Sequence, residues 1–169
     1  MFEAFTEQAR EAIVRAQREA RDMGHGAVQV EHLLLGLFSD EDDIVDRVWA
    51  DFGLTIQPVR EMVRARRGVG HGSPPEGQLP FSPTAKAALR SAHRFGMGEP
   101  GTEHMLIVLT ARGEGGASEM LRALGADPTR IRFETKKRAW PSSVPGPGSR
   151  GQLRVTVREG LLDELDFGD

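Results

Sequence analysis

Apolar residues recur every three or four positions from the start of the chain, with polar residues between them. Ala9, Ile13, Ala16 and Ala20 share one helical face behind Thr6, a hydroxyl residue suited to an N-cap. The spacing predicts a helix over residues 6–23, ended by Gly24 and Gly26. A second helix is predicted from Val30, carrying Leu33, Leu34, Leu37 and Phe38. A third covers Asp42 to Asp51 on a stripe of Ile44, Val45, Val48 and Trp49. Gly53 supplies its stop, and Pro58 opens a fourth helix that runs to Arg67. Residues 68–80, GVGHGSPPEGQLP, read as a connector. The pattern then restarts at Ser82-Pro83, a hydroxyl cap followed by proline, with Ala85, Leu89 and Ala92 at helical spacing. Gly96 to Gly101 reads as a loop. Further helices are predicted over Glu103 to Ala111, over Ser118 to Leu124 with Gly125 as its stop, and from Pro128 to near Trp140.

The restart is an internal repeat. Phe5-Thr6 corresponds to Phe81-Ser82 at an offset of 76, and Glu31-His32-Leu33-Leu34 to Glu103-His104-Met105-Leu106 at 72. Gly53 matches Gly125, and Pro58-Val59-Arg60 tracks Arg130-Ile131-Arg132, again at 72. Four residues make about one helical turn, so the first helix or loop of the second copy is expected to be one turn shorter. Each copy alone is too small for a good core. The predicted fold is therefore all-α: an eight-helix bundle of two pseudo-twofold-related four-helix repeats. Repeat one spans 1–67, the connector 68–80 and repeat two 81–140. A proline- and glycine-rich linker follows over 141–152, then an acidic-apolar tail over 153–169. Leu153, Val155 and Val157 alternate with polar residues like a short strand. The tail reads as either a disordered end or a docking segment.

With 169 residues the chain can bury a core without staples, and it has no cysteine, so thiolate metal sites and thiol nucleophiles are excluded. A net charge of −3 argues against general nucleic-acid binding. The first ten residues lack the basic and apolar stretches of a secretory signal, and no apolar run reaches the ~18 residues that span a bilayer. The expectation is a cytoplasmic protein with no membrane and no nucleic-acid partner. No G-x-x-x-x-G-K-[ST] phosphate loop occurs, no nucleophile with an orienting base stands out, and no H-E-x-x-H array is present. A non-enzymatic module without cofactor or metal is expected.

The segments MFEAFTEQAREAIVRAQREA, VEHLLLGL, LPFSPTAKAAL and GTEHMLIVLTARGEGGASEMLRALGAD resemble, in order and duplicated, the two Clp repeats of ClpC-type N-terminal domains. The likeness covers residues 1 to about 138. It implies an eight-helix domain that receives substrates, adaptors and cyclic-peptide antibiotics for a ClpC unfoldase working with the ClpP peptidase, and that binds phosphoarginine. Without a motor, such a module would act as a decoy or an adaptor. A regulator of a non-Clp partner, acting through the acidic tail, is the alternative. Val30 stands where the family usually has threonine before the first Glu-His, whereas Thr102 keeps it. Ser82 replaces a usual threonine and retains the hydroxyl.

The repeated polar residues suit such a ligand. A helix start with a hydroxyl favours an anion, and a carboxylate takes a guanidino group through paired hydrogen bonds. This singles out Thr6 with Glu31, and Ser82 with Glu103 beside Thr102. The same residues also serve as ordinary caps and helix-start acids. His32 and His104 point about 100° away from the adjacent glutamates, which suits capping or packing better than a metal. The resemblance further implies that Phe2, Phe81 and Lys86 belong to a surface receiving peptides and antibiotics. Phe5 and Phe81 equally suit packing ahead of the caps.

Overall fold

In a computed structural model, residues 2–41, 43–70, 74, 76–96, 98–111 and 116–141 are described. The linker and tail readings for 142–169 lie outside these. The described residues form α1 (Glu7–Asp22), α2 (Val30–Gly36), α3 (Ile44–Asp51), α4 (Ile56–Arg67), α5 (Pro83–Phe95), α6 (Thr102–Leu109), α7 (Gly116–Ala123) and α8 (Pro128–Ala139).

The alanine-rich face of α1 buries Ala9, Ala12, Ile13, Ala16 and Ala20 against α2. Small side chains alone let two helix backbones approach this closely. At Gly36 even one added carbon would strike the Ala12 carbonyl and the Ala16 nitrogen. Arg15 secures the crossing by donating from Nε to the Gly36 carbonyl at 2.9 Å. That carbonyl, at the end of α2, has no partner within its own helix.

The two most apolar helices occupy the centre. Glu31 to Gly36 of α2 are all buried, as is α6 from Met105 to Leu109. A helix that is hydrophobic all round must be covered on all sides. The coverage obeys a twofold rule: α1 packs on α6 as α5 packs on α2, α3 on α6 as α7 on α2, and α3 on α8 as α7 on α4. Ion pairs repeat the rule at the surface. Arg66 of α4 meets Glu119 of α7 at 3.1 Å, and Arg138 of α8, 72 residues after Arg66, meets Asp51 of α3.

The missing turn divides between helix and loop. α5 has 13 residues where α1 has 16, and the loop that follows is one residue shorter. Boundaries differ from the sequence reading by two residues at four places: α6 ends at Leu109 rather than Ala111, and three starts move. α4 starts at Ile56, ahead of Pro58, because proline costs nothing anywhere in a first turn whose N–H groups have no helical acceptor. α3 starts at Ile44 because Asp43 caps it, its Oδ1 accepting from the Asp46 N–H at 2.9 Å. α7 begins at Gly116 rather than Ser118.

Candidate functional site

Thr6 and Ser82 both cap helices. Thr6 Oγ1 accepts from the Ala9 N–H at 3.2 Å, and Ser82 Oγ from the Ala85 N–H at 3.2 Å. A capping hydroxyl has a proton to donate, and Ser82 Oγ already lies 3.1 Å from Thr84 Oγ1, where either hydroxyl can be the donor. The backbone shows which acid each start adjoins. The Thr6 N–H donates to the Pro100 carbonyl at 3.1 Å, immediately before α6. In the other half, the Ser82 N–H donates to the Val28 carbonyl at 2.9 Å and the Val28 N–H to Pro80 at 2.8 Å, immediately before α2. Val28 and Pro100 are again 72 apart. Thr6 of repeat one therefore sits beside the segment leading to Thr102 and Glu103 of repeat two, and Ser82 beside the segment leading to Glu31 of repeat one. These backbone bonds tie each helix start to the approach to the other repeat's acid, whereas sequence spacing suggests pairs within each repeat. A repeat offset is identical for contacts inside one copy and for contacts swapped between copies, so spacing alone has no power to separate them.

The two acids differ sharply. Glu31 is 5% exposed, and one of its oxygens, Oε1, accepts from both Nε (3.2 Å) and Nη2 (2.9 Å) of Arg67. The other oxygen, Oε2, is buried with no partner. The carboxylate lies against Gly116 at the start of α7, where a Cβ would collide with it. Glu103 instead curls back over Gly101 and contacts Nδ1 of His104 at 2.9 Å. Burial pushes the Glu103 carboxyl up, but the His104 hydrogen bond, its own backbone N–H and the His104 charge outweigh it. The net pKa is lowered, which keeps the acid ionised. Thr102 donates from Oγ1 to Asp43 Oδ2 at 2.7 Å, so its hydroxyl is committed across the repeat interface. Val30, its counterpart, makes no such bond because it has no hydroxyl.

Both histidines close their helix starts. The Gln29 N–H donates to His32 Nδ1 at 2.9 Å, and the Gly101 N–H to His104 Nδ1 at 3.0 Å. In repeat one a relay continues: His32 Nε2 lies 2.8 Å from His25 Nδ1, and His25 Nε2 lies 2.9 Å from the Gly68 carbonyl. A carbonyl only accepts, so each ring must be neutral with its proton on Nε2 for every bond to be made. Burial, then the neighbouring His25 and Arg67, lowers the His32 pKa to about 3. Repeat two replaces the relay with packed rings, Trp140 lying 5.1 Å from His104 and 5.8 Å from Phe95. There His104 Nδ1 must serve either Gly101 or Glu103, since one tautomer satisfies only one of them.

Phe2 and Phe81 meet, their centroids 5.4 Å apart, while Phe5 behind them is fully buried. Lys86 is exposed on the first turn of α5. Next to Phe5 an open cavity of ≈ 360 Å³ is lined by Leu89, Arg90, His93 and Arg94. Sequence reasoning missed Arg67 and Asp43 as site residues. Arg67 reads as part of a solvated basic run, and only its repeat counterpart, Ala139 at offset 72, distinguishes it.

The geometry has counterparts among known proteins. A family model described as the Clp repeat (R) N-terminal domain matches residues 4–98. The chain is 37% identical over 168 residues to "Chaperone protein ClpC1, chloroplastic" of Oryza sativa subsp. japonica, covering 94% of this chain and 18% of that protein. Against "Chaperone protein ClpC1, chloroplastic" of Arabidopsis thaliana it is 40% identical over 138 residues, covering 79% and 15%. The chain thus spans less than a fifth of the length of these relatives. Their names say chloroplastic, which lends no support to the cytoplasmic expectation. Among the described residues, no helix is long and apolar enough to cross a membrane. The N-terminal domain of the Caseinolytic protease associated chaperone ClpD from Arabidopsis thaliana superposes with a TM-score of 0.67 at 27% identity, covering 82% of this chain and 99% of that one. The Hsp104 N-terminal domain from Candida albicans, at TM-score 0.65 and 15% identity over 82% of this chain and 93% of that one, shares the fold.

Proposed function

Since the chain belongs to the Clp repeat (R) N-terminal domain family, we propose that it is a non-enzymatic binding module of a Clp system that captures arginine-phosphorylated protein segments. The observation that carries this reading is the exchanged pairing of a capped helix start with an acid. A phosphoryl group suits the free N–H groups and the hydroxyl of Thr6, and a guanidino group suits Glu103 beyond Thr102. Ser82 and Glu31 form the second such pair. The chemistry asked of the protein is recognition alone, with two opposite charges held at a fixed spacing.

Phe2 and Phe81 offer an aromatic pair, and Lys86 an exposed cation on the first turn of α5. A compact apolar peptide, cyclic peptides included, fits that combination. Partners on this reading are marked or peptide substrates, Clp adaptors and a ClpC unfoldase. In a reconstituted ClpC/ClpP digestion, excess chain slows the reaction if it acts as a decoy and speeds it if it acts as an adaptor.

Calorimetric titration with phospho-L-arginine tests the reading. Binding is expected in the wild type, weakened about 10- to 100-fold in Glu103→Ala, which loses charge-assisted hydrogen bonds of roughly 1.5–3 kcal/mol. No heat with the wild type removes the phosphoarginine reading.

A further inference from the structure

We propose that Arg67 is a built-in occupant of the Glu31 pocket, so that this pocket admits an external guanidino group only when Arg67 swings out, while the Glu103 pocket stands open. The inference rests on the acids being guanidino receivers, and it adds which of them is available and what controls the other.

Four observations point the same way. Arg67 already supplies Glu31 with the chemistry a ligand would bring, a guanidinium donating two N–H groups. It does so incompletely, because both bonds fall on Oε1 while the buried Oε2 has no partner. A guanidinium entering squarely would engage both oxygens in a parallel fork, so the pocket is better matched to a freely placed guanidino group than to one tethered at a helix end. Arg67 is also able to leave: it is the last residue of α4, is followed by Gly68 at φ 73°, and its side chain is 37% exposed against 6% for Glu31. Among the described residues, repeat two shows no such occupant. Ala139 holds the position 72 residues after Arg67, and among the described residues the ion contact of Glu103 is with its neighbour His104. The hydroxyls agree with the acids, since Ser82 beside the occupied pocket is buried and Thr6 beside the open one is half-buried.

The repeats are thus alike in fold and unequal in readiness. One pocket receives ligand at once. The other holds a guanidinium of its own, fixed at the C-terminus of α4 where the connector begins, so whatever pulls on that connector changes its availability.

The test uses the full chain with two probes. With phospho-L-arginine, the wild type is expected to bind at one site, weakened about 10- to 100-fold in Glu103→Ala and unchanged in Glu31→Ala. Arg67→Ala is expected to gain a second site that Glu31→Gln removes. The second probe, methylguanidinium, lacks the phosphoryl group and reports the pocket alone. It is expected to raise the melting temperature of Arg67→Ala, and not that of the wild type or of Arg67→Ala/Glu31→Gln. Weaker phosphoarginine binding in Arg67→Ala would make Arg67 a ligand contact and overturn the proposal. So would wild-type binding that already depends on Glu31. Methylguanidinium rescue with no phosphoarginine binding in any variant sinks the phosphoarginine reading and leaves the occupant role standing. Phosphoarginine binding with neither a second site nor rescue does the reverse, and silence from both probes removes both. If Arg67→Ala is too unstable to titrate, Arg67→Lys keeps the charge without the fork and is read by the same two probes.

Discussion

His32 gives the fold a pH dependence. Its pKa is lowered from an ordinary 6.5 to about 3, so between those values the unfolded chain takes up a proton that the folded chain refuses. The stability from this group is complete above about pH 6.5 and drains away as pH falls toward 3, with a slope of at most about 1.4 kcal/mol per unit. Glu103, whose pKa is also lowered, contributes only from its ordinary 4.5 downward. Urea unfolding at pH 7, 6 and 5 therefore samples the histidine ahead of Glu103, and the difference between wild type and His32→Gln over that segment is expected to show its contribution. Thr6→Ala is expected to cost about 1 kcal/mol by loss of the cap, whatever its effect on ligand. At this scale the caps were legible, because a hydroxyl ahead of an apolar period has few other uses. Arg67 was not. A charged residue at a helix end looks the same whether it faces water or a buried carboxylate 36 residues away.

Among the elements, the α1–α2 crossing is the least forgiving. Gly36→Ala would drive a methyl group into the backbone of α1, and overpacking of this kind costs about 1–3 kcal/mol. Equilibrium unfolding is expected to show the loss. Val108 holds the position 72 residues on, where a full side chain is buried. A helix-by-helix reading found all eight elements, since six bury a stripe at helical spacing and α2 and α6 are continuous apolar runs. Their exact starts followed less well. Asp43 and Pro58 each belong to a first turn, and composition does not say which place in that turn they hold.

Across the whole molecule, the twofold rule is written on the surface as well as in the core. Arg66 with Glu119 and Arg138 with Asp51 join the last helix of each half to the third helix of the other. All four side chains are a third to a half exposed, so each pair is worth roughly 0–1 kcal/mol. Removing Arg66 or Arg138 singly is expected to lower stability by less than about 1 kcal/mol, as chemical denaturation would register. The duplication was visible as an offset in the sequence. The manner in which the copies embrace was not, because the same offset fits two separate four-helix units and two interlocked ones.

The interlocking seen at Thr6–Pro100 and Ser82–Val28 gives the duplication a meaning for how such a chain came to exist. On the proposed function, a solitary copy would own half of each recognition surface and complete neither, whereas two identical copies turned about a dyad would complete both. Two unfused copies would then have to act as a homodimer, whereas joined halves can change separately. Fragments severed within the connector are accordingly expected to be inert apart and to regain ligand binding when mixed in equal amounts.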